Sequence, residues 1–413
     1  MLLARALSLD VADDLALGFA RLGLPSGARE YLLEKIAHLH VLLTGLEPDD
    51  GRMLRAMAER EGDWAEEFPR WVAGDPRTRA GSGMVSGRRE QVERLVLACR
   101  ERERPRLALA IERLLRSLDA TPKPMKLGRH LLSFGGRPLM MGVLNVTPDS
   151  FSDGGLYLAP EDAIAQGEAL VAAGADLLDI GGESTRPGAQ PVPVQDQIAR
   201  VVPVIRALSQ RLDVPLSIDT TRSEVARVAL RAGATLVNDV SGFTFDPVLP
   251  RVVADAGAGC CAMHLLGTPA TMQEDPRYED VVAEVIEFLD GALARAVDAG
   301  VHPDQVMVDP GIGFGKTVGH NLMLLRRARD LRVLERPVLI GTSRKSPLGA
   351  LTGKPAAERV VASAASVAVL AAMGAADMVR VHDVAETKDA LTVAHAVRLA
   401  TEGGDAFARK PAR

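Results

Sequence analysis

Aromatic residues are scarce in this chain: 3% of 413 positions, with two tryptophans and three tyrosines. Any core must therefore be aliphatic, and apolar residues at 47% supply enough material for a large one. Cysteine is scarcer still. Cys99, Cys260 and Cys261 are odd in number and the adjacent pair is poorly placed to bridge, which excludes a disulfide framework. No C-x-x-C and no histidine pair at zinc spacing occurs. This cysteine usage makes a reducing cytoplasm the expected compartment. An excess of basic residues is also missing; a net charge of -5 argues against a nucleic-acid partner. Long apolar runs are absent too. Residues 1–9 are apolar, but Asp10, Asp13 and Asp14 interrupt them before a signal peptide is complete. The run 362–376 is rich in small residues, too short to span a membrane, and reads as a buried helix. No membrane partner is expected.

The length suits two domains of unequal size. Residues 1–120 carry both tryptophans and dense charge, and form a small α/β N-terminal domain. The pattern predicts strands over 7–11, 38–43 and 84–87, and helices over 13–22, 49–61, 88–102 and 105–118, where apolar residues recur three and four apart. His38 and His40 flank one residue of a predicted strand and read as ordinary sheet residues. Residues 121–138 read as a proline-rich linker and then a short hairpin, turned at Gly135-Gly136, that plugs the bottom of the larger domain.

From residue 139 to 402 the pattern is regular. Strands are predicted over 139–146, 176–182, 215–220, 235–242, 259–264, 306–311, 337–343 and 378–384. Helices are predicted over 160–173, 194–211, 223–232, 247–256, 278–299, 320–331, 356–373 and 385–401, with a tail over 403–413. Gly174, Gly233, Gly257, Gly300 and Gly374 fall where helices should stop in a left-handed residue. Eight strand–helix units of this length point to a (β/α)8 TIM barrel. A doubly wound open sheet is the alternative, but no G-x-G-x-x-G comes after the first strand to support it.

The polar residues sit at the ends of these strands and not at their starts, the side on which a barrel carries its active site. Asp219, Asn238 and Asp309 each close an apolar run. Alone, any of them can cap the next helix. Together they suit a planar heterocycle with alternating donors and acceptors, because a carboxylate accepts two parallel N–H bonds and an asparagine supplies one group of each kind. Cations come after the last two strands: Arg344 and Lys345 after the seventh, Arg380 and His382 on one side of the eighth. Barrel phosphate sites commonly lie there. Arg186 is a further anion contact. Ser346-Pro347 has the form of an N-cap and first helical residue, whose N–H groups would face a carboxylate.

The motifs of residues 139–402 resemble dihydropteroate synthase of the folate pathway. The matching segments are Gly142-Val-Leu-Asn-Val-Thr-Pro-Asp-Ser-Phe-Ser-Asp-Gly-Gly155, Asp179-Ile-Gly-Gly-Glu-Ser-Thr-Arg-Pro-Gly188, Ser217-Ile-Asp-Thr220, Asn238-Asp-Val-Ser-Gly242, Met263-His264, Asp309-Pro-Gly-Ile-Gly-Phe-Gly-Lys316, Ser343-Arg-Lys-Ser346 and Arg380-Val-His-Asp-Val384. The resemblance implies condensation of (7,8-dihydropterin-6-yl)methyl diphosphate with 4-aminobenzoate to give 7,8-dihydropteroate and diphosphate. It implies Mg²⁺ as cofactor, with Asn145 as metal contact, a homodimer, and membership of a class of sulfonamide targets. By the family's pattern the pterin is held by Asp219, Asn238, Asp309, Lys345, Phe314 and Met263. The diphosphate is held by Asn145, Arg186, Arg380 and His382, and the aminobenzoate by Phe151, Thr185, Arg186, Pro187 and Ser346. Asp219, Asp309, Lys345 and Arg380 are the expected catalytic set. Leu265-Leu266-Gly267 and Pro347 depart from the family's pattern. Two rivals remain: a pterin-dependent methyltransferase barrel and a non-catalytic pterin-binding regulator.

Overall fold

The computed structural model describes residues 39–43, 45–58, 70–73, 83–146, 160–184 and 191–400. The chain divides into two compact units, Met1–Asp119 and Ala120–Arg413. In the first, β1 (Leu39–Leu43), β2 (Arg70–Ala73) and β3 (Gly83–Gly87) pair antiparallel in the order β1-β3-β2. Among the described residues three helices belong to the same unit: α1 (Pro48–Ala58), α2 (Arg89–Glu101) and α3 (Pro105–Asp119). Val92, Leu95 and Cys99 of α2 meet Leu107 and Ile111 of α3, with Val41 and Val85 from the sheet, in one buried cluster. The spacing of three and four that marks these helices in sequence is what builds that apolar face. Strand β2 is absent from the sequence expectations; four residues carry too little alternation to announce a strand, and pairing with β3 recruits them. The expected strand over 7–11, helix over 13–22 and His38 lie outside the described residues, and His40 is on β1.

The second unit opens with a hairpin, β4 (Met125–Leu127) and β5 (His130–Leu132). Its turn is at Gly128, not at Gly135-Gly136 as the sequence suggests. Gly128 has φ +59°, a conformation glycine adopts without steric cost.

Eight parallel strands come next: β6 (Leu139–Asn145), β7 (Leu177–Gly181), β8 (Leu216–Asp219), β9 (Leu236–Asp239), β10 (Gly259–Met263), β11 (Val306–Asp309), β12 (Leu339–Ile340) and β13 (Met378–Val381). Their order is β11-β10-β9-β8-β7-β6-β13-β12. A bridge between Val308 and Val338, with the Val308 N–H donating to the Pro337 carbonyl at 3.0 Å, joins the two edges. The result is the expected (β/α)8 barrel. Helices α4 (Pro160–Ala173), α5 (Val194–Arg211) and α6 (Ser223–Ala232) have the expected bounds. The others are α7 (Leu249–Asp255), α8 (Val281–Asp298), α9 (Val318–Arg326), α10 (Ser346–Thr352), α11 (Val360–Ala372) and α12 (Val384–Leu399).

Two expectations change. The helix predicted over 320–331 is α9 and then a 3₁₀ segment, Ala328–Leu334. The strand predicted over 337–343 is cut to two residues. Beyond it the Thr342 hydroxyl meets that of Ser366 at 2.7 Å, the Arg344 N–H donates to Ser363 Oγ at 3.0 Å, and Arg344 itself takes φ +58°. Side-chain bonds to α11 thus replace ladder bonds.

Side chains alternate along each strand. Met140, Leu178, Ile218, Val237, Cys260, Val308, Ile340 and Val379 face the helices and join the main core. Met141, Leu177, Leu236, Cys261, Met307, Leu339 and Met378 point inward, where Met125, Leu127 and Leu132 of the hairpin meet them in a separate core. A Cβ on Gly259, at the start of β10, would run into the Leu127 side chain, so glycine is what admits the hairpin. Two residues further along five of these inward rows stand Asp179, Asn238, Met263, Asp309 and Arg380. The period that lays an apolar floor therefore lays a polar layer above it. No helix among the described residues is long and apolar enough to cross a membrane.

Candidate active site

Arg380 is the centre of that polar layer. Its Nε donates to Asp179 Oδ2 at 2.6 Å and its Nη2 to Asp219 Oδ2 at 2.8 Å. Asn238 Nδ2 also donates to Asp179 Oδ2, at 2.9 Å. One guanidinium therefore serves two buried carboxylates. Burial raises the Asp219 carboxyl to about 7; Arg380 opposes the rise and Asp179 adds to it. Burial also works against the charge on Arg380, but Asp179 and Asp219 outweigh it and the guanidinium is raised. The charges differ: Arg380 faces the anions of Asp179, Asp219 and Asp309, whereas Asp219 faces one cation and the anions of Asp179, Asp239 and Glu183. Asp179 Oδ1 is buried without a partner, which marks the layer as incomplete.

Asp309, at the end of β11, accepts the Gly311 N–H at 2.7 Å. Burial raises its carboxyl, against the pull of Lys345. Lys345 Nζ donates to the Ile312 carbonyl at 2.6 Å and lies 4.7 Å above the Phe314 ring. Burial lowers its ammonium to about 8, while Asp309 holds it up. Asp309, Phe314 and Lys345 thus form one wall, reached from β11 and from the loop after β12. Met263 is buried at the end of β10, with its Cγ 3.3 Å from where a Gly311 Cβ would stand.

Asn145 and Asp219 flank Gly181. A Cβ at Gly181 would lie 3.7 Å from Asn145 Oδ1 and 3.7 Å from the Asp219 Cβ, so the glycine keeps the space between them clear. His382 lies just past β13. Its Nδ1 is 3.0 Å from Ser343 Oγ, which also accepts the His382 N–H at 3.1 Å. Arg344 does not point at this layer but pairs with Asp383. Its left-handed backbone turns the chain so that Lys345 faces Asp309, and such strain is held only where surroundings fix it. Ser346 is the first residue of α10 and not its cap; Lys345 occupies the cap position and makes no side-chain cap bond. Pro347 is buried within the first turn, and Leu265 is buried while Leu266 is exposed. Phe151, Thr185, Arg186 and Pro187 lie outside the described residues.

The structure therefore brings Asp219, Asn238, Asp309, Lys345, Phe314, Met263, Arg380 and Asn145 to one mouth of the barrel. Asp179 opens one of the strand-end segments, but the sequence reading gives it no role in the site. Its signal is available: an aspartate within Leu177-Leu178-Asp179-Ile180-Gly181, on the same inward row as Leu177 and Gly181. Asp239 has the opposite parity and is closed off by Ser241 and by the Phe243 N–H, so it belongs to the scaffold. Among the described residues no group of three His, Cys, Asp or Glu side chains is arranged to hold a metal.

Residues 141–382 match the family of pterin binding enzymes. The chain is 45% identical over 279 residues to the dihydropteroate synthase of a Synechocystis species, covering 68% of this chain and 96% of that protein. To the Escherichia coli dihydropteroate synthase it is 44% identical over 265 residues, covering 64% and 93%. Among solved structures, Yersinia pestis dihydropteroate synthase in complex with a sulfonamide drug superposes with a TM-score of 0.64 at 42% identity, covering 67% of this chain and all of that one. Burkholderia cenocepacia dihydropteroate synthase complexed with 7,8-dihydropteroate gives 0.61 at 49% identity, covering 68% and 98%. The chain belongs to the pterin-binding enzymes and, among them, to the dihydropteroate synthase family.

Proposed function

We propose that the polar layer of the barrel divides the dihydropteroate synthase reaction among its own residues. The enzyme condenses (7,8-dihydropterin-6-yl)methyl diphosphate with 4-aminobenzoate: the amine nitrogen bonds to the methylene carbon, the carbon–oxygen bond to diphosphate breaks, and the amine loses a proton. The observation that carries this reading is the Arg380 guanidinium held between Asp179 and Asp219, with Asn238 and Asp309 beside it. Asp219, Asn238 and Asp309 receive the amidine-like edge of the pterin. Asn238 has one amide N–H committed to Asp179, which leaves its carbonyl and its second N–H to offer. Phe314 and Met263 flank the ring, and Lys345 meets the pterin carbonyl. Positive charge that develops on the pterin methylene is stabilised by Asp219 and Asp309, preorganised and shielded from water. Arg380 retains Nη1 for a diphosphate oxygen, and His382, Asn145 and Arg186 complete that anion site. Phe151, Thr185, Arg186, Pro187 and Ser346 form the aminobenzoate side.

Asn145 supplies one neutral oxygen. That donor set fits Mg²⁺, which takes few protein ligands and keeps waters and substrate phosphates. When bound, magnesium neutralises charge on the departing diphosphate. A homodimer and a cytoplasmic location complete the reading. Turnover of the pterin diphosphate with 4-aminobenzoate, measured as dihydropteroate formed, is the deciding experiment. Diphosphate release that depends on 4-aminobenzoate is expected; a protein that binds the pterin but releases nothing is a binding module and refutes the reading.

A further inference from the structure

Lys316 is 3% exposed, yet among the described residues no carboxylate lies within ion-pairing distance of it. Its partners are neutral: His264 Nδ1 at 2.8 Å, the Gly311 carbonyl at 3.0 Å and the Phe314 carbonyl at 2.9 Å. An ammonium has three N–H donors, and each finds one acceptor here. For His264 to accept at Nδ1, its ring must be neutral with the proton on Nε2. Burial and then the charge of Lys316 hold the imidazole at about 3, in keeping with that form.

Two of the three acceptors, the Gly311 and Phe314 carbonyls, lie in the turn that connects Asp309 to Phe314, and the third, His264, follows the end of β10. Gly311, Gly313 and Gly315 have φ of +67°, +84° and +64°, so the turn is built from residues with the widest unfolded freedom. The Phe314 N–H donates back to the Gly311 carbonyl at 3.1 Å, and Gly311 donates to Asp309. A Cβ on Gly311 would run into the His264 carbonyl, so β10 and the turn are in direct contact. Fastenings elsewhere on the loop act on other atoms: Asn321 on Gly313 N, Gln273 on the Gly313 carbonyl, Tyr278 on the Gly315 carbonyl. The His264 N–H ties the start of the turn by donating to the Asp309 carbonyl at 3.0 Å, and Lys345 holds the Ile312 carbonyl; among the described residues only Lys316 joins the Gly311 and Phe314 carbonyls to the His264 side chain at the end of β10.

We propose that Lys316, through its bonds to His264, Gly311 and Phe314, is a positioning residue that holds Asp309 and the Phe314 ring in the geometry that binds pterin. It touches no substrate. This inference rests on the reading of Asp309 and Phe314 as pterin contacts. A hydrophobic side chain of the same length fills the same volume but leaves the Phe314 carbonyl without its donor and the Gly311 carbonyl with the Phe314 N–H alone, and the glycine turn is then free to relax.

The test uses the full-length enzyme. Pterin affinity is measured by calorimetry with 6-hydroxymethyl-7,8-dihydropterin, with kcat and KM for the pterin diphosphate alongside. Lys316→Met is expected to weaken the pterin by at least roughly tenfold, the scale for a misplaced binding group, and to raise KM in step with a smaller loss of kcat. His264→Asn keeps an acceptor where Nδ1 stands and should bind pterin as the wild type does; His264→Leu removes it and should behave as Lys316→Met does. Should Lys316→Met fail to fold, the two His264 variants decide. Wild-type pterin affinity in Lys316→Met, whatever its melting temperature, overturns the inference, as does equal affinity in the two His264 variants. A wild-type enzyme that does not bind the pterin at all overturns the site reading and the inference with it.

Discussion

Asp219→Asn and Asp309→Asn are each expected to weaken pterin binding by on the order of 2–3 kcal/mol, the scale for leaving a buried polar group facing the wrong partner. The amide turns one acceptor into a donor, and an N–H of the pterin edge then meets an N–H of the protein. The two variants differ in stability. The Asp219 carboxyl stands at about 7 against an ordinary 3.8, so the folded chain binds its proton more tightly than the unfolded chain. The stability this contributes is fully present below 3.8 and is lost as pH rises through about 7. Asparagine cannot ionise. Asp219→Asn should therefore melt no lower than the wild type at pH 8, even though it no longer holds pterin. Calorimetry with the dihydropterin and thermal melts at pH 5 and pH 8 check both halves. Near-wild-type pterin affinity in both variants would remove these carboxylates from the site.

Arg380→Ala should do the reverse and lose stability along with function. It strips the shared cation from Asp179 and Asp219 and leaves Asp179 with Asn238 alone. Breaking a buried pair by removing one partner costs on the order of 3–5 kcal/mol. The loss should be smaller at pH 5, where Asp219 can take up a proton, than at pH 8. Lysine is a poor substitute, since one ammonium cannot reproduce the two-pronged fork that reaches both carboxylates. Binding of the pterin diphosphate should fall far more than binding of the same pterin without diphosphate. His382→Ala should share that second loss. Denaturant unfolding at the two pH values, with calorimetry on both ligands, measures these effects; equal losses for the two ligands would refute the anion role.

Most of the barrel is legible in the chain because each unit carries its own punctuation. Helix α4 stops before Gly174 and α6 before Gly233, both with positive φ. The polar strand ends are legible for the same reason that alternation is: one residue in two faces inward. The features that escape are those decided by neighbours distant in sequence. Strand β12 ends early because Ser363 and Ser366 of α11 capture the backbone and side chains just beyond it. The hairpin turn falls at Gly128 because Leu127 fits against Gly259, a contact 132 positions away that no local pattern announces. Asp179 is readable as an inward aspartate, but its bond to Arg380 joins residues 201 apart. The pterin-dependent methyltransferase and the regulator share the carboxylates, so the strand ends alone do not separate them from a synthase. The relatives, synthases at 44–45% identity, do.

The hairpin under the barrel fixes where this protein can be shortened. A boundary drawn at the first strand, residue 139, would respect the eightfold repeat and still be wrong. It would discard Met125 and Leu127, both with no exposure, and uncover Met141, Leu177, Leu236 and Met307 to water from below. Each emptied position is worth about 2–5 kcal/mol, comparable in sum to the whole stability of a typical domain. A fragment starting at Ala120 keeps that lining, together with the tether from Gln305 Nε2 to the Lys126 carbonyl. The repeats alone make an open-ended tube; the hairpin ahead of them makes it a vessel.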